Sequence, residues 1–168
     1  MLTPTMEAAF NEQIKWEFYS AYLYLSMQSY YQDLGLPGFA NWMNVQYQEE
    51  TMHAMKMYDY VLECGGKVQL QAIDAPPFAW KSPLDCFQSA LEHEKVVTKR
   101  INDLTSLAQK ENDHASFIFL QWYVTEQVEE LSNFSEAVSK VKLVGDGGGL
   151  FMLDRDLATR VYTPPVKA

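Results

Sequence analysis

Residues 39–66 read Phe-Ala-Asn-Trp-Met-Asn-Val-Gln-Tyr-Gln-Glu-Glu-Thr-Met-His-Ala-Met-Lys-Met-Tyr-Asp-Tyr-Val-Leu-Glu-Cys-Gly-Gly. Every third or fourth residue gives Phe39, Met43, Gln46, Glu50, His53, Met57 and Tyr60, the spacing of one helix face. That face is apolar at both ends. In its middle Glu50 and His53 stand one turn apart on the same side. Gly65-Gly66 then offers a left-handed stop. The stretch predicts a helix over about 39–64 with a carboxylate and an imidazole where core residues belong.

The same pattern recurs three times. An upstream stripe is Phe10, Ile14, Glu17, Ala21 and Tyr24, and a downstream one is Leu84, Phe87, Leu91, Glu94, Thr98 and Ile101. The last is Phe119, Tyr123, Gln127, Glu130, Phe134, Ala137 and Val141. Glycine and proline bound these segments. Thr3 can cap a helix beginning near Thr5, with Pro4 suited to its first turn. Gly35-Leu36-Pro37-Gly38 is a short break, and Ser82-Pro83 with Asp85 starts another helix. Asn112-Asp113 makes a tight turn, while Gly145 and Gly147-Gly148-Gly149 interrupt the chain again. The expected helices are about 5–33, 39–64, 83–111, 113–144 and 150–159, in one domain over 1–160, with a tail over 161–168.

Almost no strand signal is present, so the fold is read as all-α. Short breaks pair the first helix with the second and the third with the fourth. About fifteen residues around Pro76-Pro77, from Lys67 to Lys81, form a long crossover. That is a four-helix bundle with a short fifth helix.

Each long helix thus places a glutamate on its apolar stripe near mid-length: Glu17, Glu50, Glu94 and Glu130. Antiparallel packing brings all four to one level. Four ionised carboxylates make six pairs, each repelling by roughly 3 kcal/mol at about 6 Å and an effective dielectric of about 20. Their sum, about 17 kcal/mol, exceeds the stability of an ordinary domain, about 5–15 kcal/mol. Such a cluster must bind protons or a cation. No Lys or Arg lies on the stripes to neutralise it. Any single glutamate could point to solvent instead; four at one level beside a Glu-x-x-His turn make that reading weak. Four carboxylates and one imidazole suit iron or manganese better than structural zinc. Glu50, flanked by His53, is best placed to bridge two metals. Tyr24 either hydrogen-bonds a ligand or is a satisfied core tyrosine.

Composition agrees. The chain has 168 residues, 48% of them apolar, and a net charge of −9. An acidic chain is a poor nucleic-acid binder and suits a cationic partner, although acidity also serves solubility. Cys64 and Cys86 form no Cys-x-x-Cys pair; they could bridge, but free thiols in a reducing compartment fit better. No signal peptide and no run long enough to span a membrane is evident, which predicts a soluble, cytoplasmic protein without a membrane partner. His93 and His114 read as exposed or turn residues rather than ligands. The eight methionines read as core and interface filling. Aromatic residues such as Tyr30, Tyr31 and Trp42 exceed what one interior needs, which points to subunit contacts.

The set Glu17, Tyr24, Glu50-Thr51-Met52-His53, Glu94 and Gln127-Val128-Glu129-Glu130 resembles the bacterial non-haem ferritins, as does Phe119-Leu120-Gln121-Trp122-Tyr123. The resemblance covers essentially the whole chain. It departs from the di-iron carboxylate bundles with two Glu-x-x-His motifs, because Glu130 stands where the second histidine would be. Thr51 stands where haem-binding ferritins carry a methionine, so no haem is expected. The resemblance implies a ferroxidase and iron-storage protein acting on Fe(II) with oxygen or peroxide. It implies iron A on Glu17, Glu50 and His53, and iron B on Glu50, Glu94 and Glu130. Gln127 is implied as a nearby polar residue, and Glu49, Glu126, Glu129 and Glu130 as a third iron site. For Glu49, Glu126 and Glu129 plain surface acids remain the other reading. A homo-oligomeric shell of twenty-four subunits, the fifth helix lining its four-fold axis, follows from the resemblance alone. The competing classes are a small di-iron oxidase acting on an organic substrate, and a structural bundle without metal.

Overall fold

The computed structural model describes residues 2–164. Thr3 is extended (φ −69°, ψ 155°) and its hydroxyl accepts from Met6 N–H, so α1 opens at Pro4 and runs Pro4–Asp33. The proline costs nothing there because its missing N–H would have no helical partner. α2 spans Pro37–Glu63 and likewise begins on its proline, two residues before the expected start. α3 spans Pro83–Lys110, with Ser82 accepting from Asp85 N–H. α4 spans His114–Val144, capped by the Asp113 carboxylate on Ser116 N–H. α5 spans Gly148–Leu157. The glycine run therefore does not separate α4 from α5 as expected: Gly147 caps α5, and Gly148 and Gly149 lie within it.

The turns follow the sequence with one exception. Gly65 takes φ +74°, a conformation a Cβ would strain. Gly66 does not share it; a Cβ at Gly66 would instead lie 3.0 Å from Glu7 Oε2 and from Val61 Cγ1. Asn112 supplies the left-handed turn between α3 and α4 (φ 54°).

α1 packs along α2 and α3 along α4, while α1 also meets α3, and α5 lies on α2 and α4. The apolar core is split in two. One cluster joins Tyr24, Met27 and Tyr31 of α1, Phe39 and Met43 of α2, Phe87 of α3 and Phe134 of α4. The other joins Met6, Phe10 and Ile14 of α1, Met57 and Val61 of α2, Ile101 of α3 and Leu120 of α4. Each helix passes from one cluster to the other at its glutamate. α1 and α4 pass in one direction and α2 and α3 in the other, so α2 and α3 are parallel and need the long crossover.

The crossover, residues 65–81, has no helix or strand. It is tied to α1. Asn11 Nδ2 donates to Lys67 O at 2.8 Å and Asn11 Oδ1 accepts from Gln69 N–H at 2.6 Å. Ser26 Oγ donates to Pro77 O at 2.6 Å. Of the tail expected over 161–168, residues 165–168 lie outside the described residues. No helix among the described residues is long and apolar enough to cross a membrane.

Candidate metal centre

Between the two apolar clusters lies one polar layer. Glu17, Glu50, His53, Glu94, Gln127 and Glu130 are all buried there, none more than 3% exposed. Six of the seven α2 stripe positions, Phe39 to Met57, are buried, and the seventh, Tyr60, is half-buried, so the helical spacing read from sequence places the acids inside.

The layer's oxygens divide into held and free. Gln13 Nε2 donates to Glu17 Oε1 at 2.8 Å. Gln46 Nε2 donates to Glu130 Oε2 at 3.0 Å. Tyr24 donates its hydroxyl to Glu94 Oε1. Gln127 Nε2 lies 3.4 Å from Glu94 Oε2, and its own Oε1 accepts from Thr98 Oγ1 at 2.8 Å. By contrast, Glu17 Oε2, both oxygens of Glu50 and His53 Nε2 are buried with no hydrogen-bond partner. A buried polar group left unpaired costs about 1–3 kcal/mol. The free oxygens of Glu17 and Glu50 face the other imidazole nitrogen: His53 Nδ1 is 3.5 Å from Glu50 Oε2 and 3.9 Å from Glu17 Oε2. Glu50, the residue with two free oxygens, is the one the sequence marks as a bridge.

Burial and mutual repulsion set the protonation. Burial drives the Glu50 carboxyl well above its ordinary range, reinforced by Glu17 and Glu130. Glu94 moves the same way through burial and Glu50, with the Tyr24 hydrogen bond opposing. Glu130 is pushed up to about 8, by burial first and then by Glu94 and Glu49. Glu50, Glu94 and Glu130 therefore favour holding protons that a cation can displace.

Two groups place three ligand atoms within 4.8 Å of one another: Glu17, Glu50 and His53, and on the far side of the imidazole His53, Glu126 and Glu130. The first matches the residues expected to hold iron A. The iron B set of Glu50, Glu94 and Glu130 shares the layer but is not drawn to that separation among the described residues. Glu94 is instead engaged by Tyr24 and Gln127. Of the third-site acids, Glu126 Oε1 stands 3.9 Å from His53 Nε2. Glu49 is turned to Arg160, its Oε2 2.7 Å from Arg160 Nη2. Glu129 is exposed. Thr51 turns its hydroxyl onto Tyr47 O at 2.7 Å, and Met52 faces a surface groove with Tyr47, Gln48, Met55 and Tyr162.

Several contributors were not read from the sequence. Gln13 stands four residues before Glu17, a spacing that could have disclosed it. Arg160 is another: it comes from the chain after α5 rather than from a stripe, and it pairs with Glu49. His93 is a correction. It is no exposed residue; its Nε2 lies 2.7 Å from Ser20 Oγ, and its ring packs against Trp16, Tyr19 and Tyr24. His114 is exposed as expected. Cys64 and Cys86 are free thiols.

A layer of buried carboxylates with one imidazole, set mid-length in a four-helix bundle with one long crossover, defines a carboxylate-type metal-binding bundle. A model of the ferritin-like domain family matches residues 7–144, and the chain belongs to the ferritin family. A bacterial non-heme ferritin of Bacteroides fragilis (strain 638R) is 41% identical over 160 residues, 95% of this chain and 100% of that protein. A probable bacterial non-heme ferritin-like protein of Haemophilus influenzae is 39% identical, over 94% of this chain and 96% of its own. Among solved structures, an engineered closed form of the Archaeoglobus fulgidus ferritin is 52% identical with a TM-score of 0.96, covering 97% of this chain and 100% of that one. An open-pore ferritin of the same archaeon is 51% identical with a TM-score of 0.95, over 96% and 100%.

Proposed function

We propose that this chain is an iron-storage subunit that oxidises Fe(II) at the buried carboxylate layer. One observation carries the reading: unpartnered oxygens of Glu17 and Glu50 converge on His53 in a buried layer. Carboxyl groups with free lone pairs become a hard anionic cage for a divalent cation once their protons leave.

In this reading Glu17, Glu50 and His53 hold one Fe(II), and Glu50, Glu94 and Glu130 the second, with Glu50 between them. Gln127 stays at the edge and Tyr24 orients Glu94. Loading releases the carboxyl protons. Each of two Fe(II) ions gives up one electron; dioxygen accepts both with two protons and leaves as hydrogen peroxide. Peroxide can replace dioxygen as the acceptor. The anionic cage favours the product because Fe(III) carries one more positive charge. Ferric ions then move past Glu49, Glu126, Glu129 and Glu130, the proposed third site, and hydrolyse to an oxy-hydroxide mineral inside a shell. The shell is a homo-oligomer, taken as twenty-four copies, with α5 at the four-fold axis; the full-length match to ferritin structures supports this. No haem takes part, since Thr51 offers no thioether. Free thiols at Cys64 and Cys86 support a cytoplasmic setting.

The test is excess Fe(II) added in air to metal-free protein, with iron counted in the sizing-column fractions. Hundreds of irons on a large assembly are expected. About two per chain on a small species would overturn storage and point to an oxidase acting on an organic substrate. Glu130→Ala is expected to lose rapid oxidation while keeping its helicity; unchanged rapid oxidation in that variant would remove Glu130 from the site.

A further inference from the structure

The chain after α5 returns to the metal layer. Asn41 Nδ2, on the first turns of α2, donates to the carbonyls of Leu157 and Ala158 at 3.3 Å each and of Arg160 at 2.9 Å. With its backbone fixed there, Arg160 lays its guanidinium 4.3 Å over the Trp42 ring. The fork's far end meets Glu49 Oε2 at 2.7 Å. Both side chains are only 20% exposed, so solvent screens this pair less than an ordinary surface pair.

Glu49 precedes Glu50 in sequence and adjoins the outer group of His53, Glu126 and Glu130. That outer group does not depend on acids alone, since His53 Nε2 is buried, unpartnered and 3.9 Å from Glu126 Oε1. Resting on the reading of the inner layer as an iron site, we propose that Arg160 is a built-in counter-cation of the outer acid group. It occupies Glu49, leaves Glu126 and Glu130 beside His53 to receive the outgoing iron, and must swing away before iron can engage Glu49.

Room for that swing exists. A surface cavity of about 260 Å³ borders Arg160 and Trp42; on its walls Glu136 is paired with Lys140 at 2.6 Å, and Asp156 is the other acid. A displaced guanidinium can therefore trade one carboxylate for another. The C-terminal segment would then act as a charge-operated gate on iron leaving the inner layer.

The experiment is anaerobic titration of full-length metal-free protein with Fe(II), followed calorimetrically, for the parent, Arg160→Gln, Arg160→Lys, Glu49→Gln and Glu49→Gln with Arg160→Gln. Removing the competing charge is expected to tighten the outer ion about five- to tenfold in Arg160→Gln, given the size of partly exposed charge pairs. Arg160→Lys, which keeps the charge, stays near the parent. Glu49→Gln alone changes the outer ion little, but in the Arg160→Gln background it cancels the gain. An outer ion indifferent to Arg160→Gln overturns the inference, as does equal tightening in Arg160→Gln and Arg160→Lys, which would mean loosened docking rather than charge. Absence of the two inner ions from every protein, the parent included, would overturn the iron reading itself.

Discussion

Asp154 of α5 caps a helix it does not belong to: its Oδ1 accepts from Gly38 N–H at 2.7 Å and from Phe39 N–H at 3.0 Å, the first free donors of α2. Leu36, the residue in the cap position of α2, makes no side-chain cap bond. The close approach explains Gly38, because a Cβ there would lie 1.6 Å from the Asp154 carbonyl oxygen. This contact seats α5, and so fixes where Arg160 begins its reach.

Asp154→Ala should accordingly lower the stability of the metal-free protein by about 1–2 kcal/mol, the usual worth of a cap. Gly38→Ala should cost more, since α5 must move as a body. Hydrogen exchange over 150–157, read beside thermal unfolding, checks both; α5 amides as protected as in the parent would show that the cap does not hold it.

Tyr24→Phe removes the donor to Glu94 Oε1 while keeping the ring's stacking on Phe134 at 5.7 Å. The orphaned buried oxygen should cost roughly 1–3 kcal/mol in the metal-free protein. A group that orients a metal ligand is worth about ten- to hundredfold in activity or affinity. Stopped-flow oxidation of two Fe(II) per chain should therefore slow by about tenfold or more. A lowered melting temperature with an unchanged oxidation rate would leave Tyr24 as a core tyrosine only.

The four stripe glutamates were legible because each interrupts an apolar helical period, and helical geometry leaves such a residue no route to water. The two apolar clusters on either side of the layer follow from the same period. The tie from Asp154 to Gly38 spans 116 residues, and no local pattern encodes so distant a partner. Arg160 was hidden for the same reason: it lies beyond the bundle, where no stripe exists. His93 was misread because it is one residue off the inward stripe of α3, yet aromatic side chains of α1 close over it. Gln13 was readable in principle, four residues before Glu17.

Glu130 gives the metal-free protein a defined pH response. Its carboxyl moves from 4.5 in the unfolded chain to about 8 in the folded one. The folded state keeps a proton that the unfolded state has released, so this contribution is full below the unfolded value and is lost as pH rises through about 8. Glu130→Gln has no such proton. Relative to the parent it should gain stability steadily as pH rises from about 5 to about 8, while losing rapid Fe(II) oxidation. Denaturation midpoints of parent and variant across that range check the slope; parallel curves would mean Glu130 is ionised in the folded chain.

His93 gives the opposite slope. Burial lowers its imidazole from 6.5 to about 4, and its Nε2 meets only the Ser20 hydroxyl, at 2.7 Å. The unfolded chain takes up a proton below 6.5 that the folded chain refuses. The stability His93 contributes is thus present above 6.5 and lost as pH falls through about 4. The buried carboxyls act in the reverse sense over part of this window, so the parent's curve alone mixes the two. The difference between His93→Gln and the parent isolates the imidazole. That difference should move in favour of the variant as pH falls from about 6.5 to about 4.5 and be level above about 7. A glutamine amide can still reach Ser20, which keeps the comparison one of charge rather than packing. A pH-independent difference would show that His93 already accepts a proton in the folded chain.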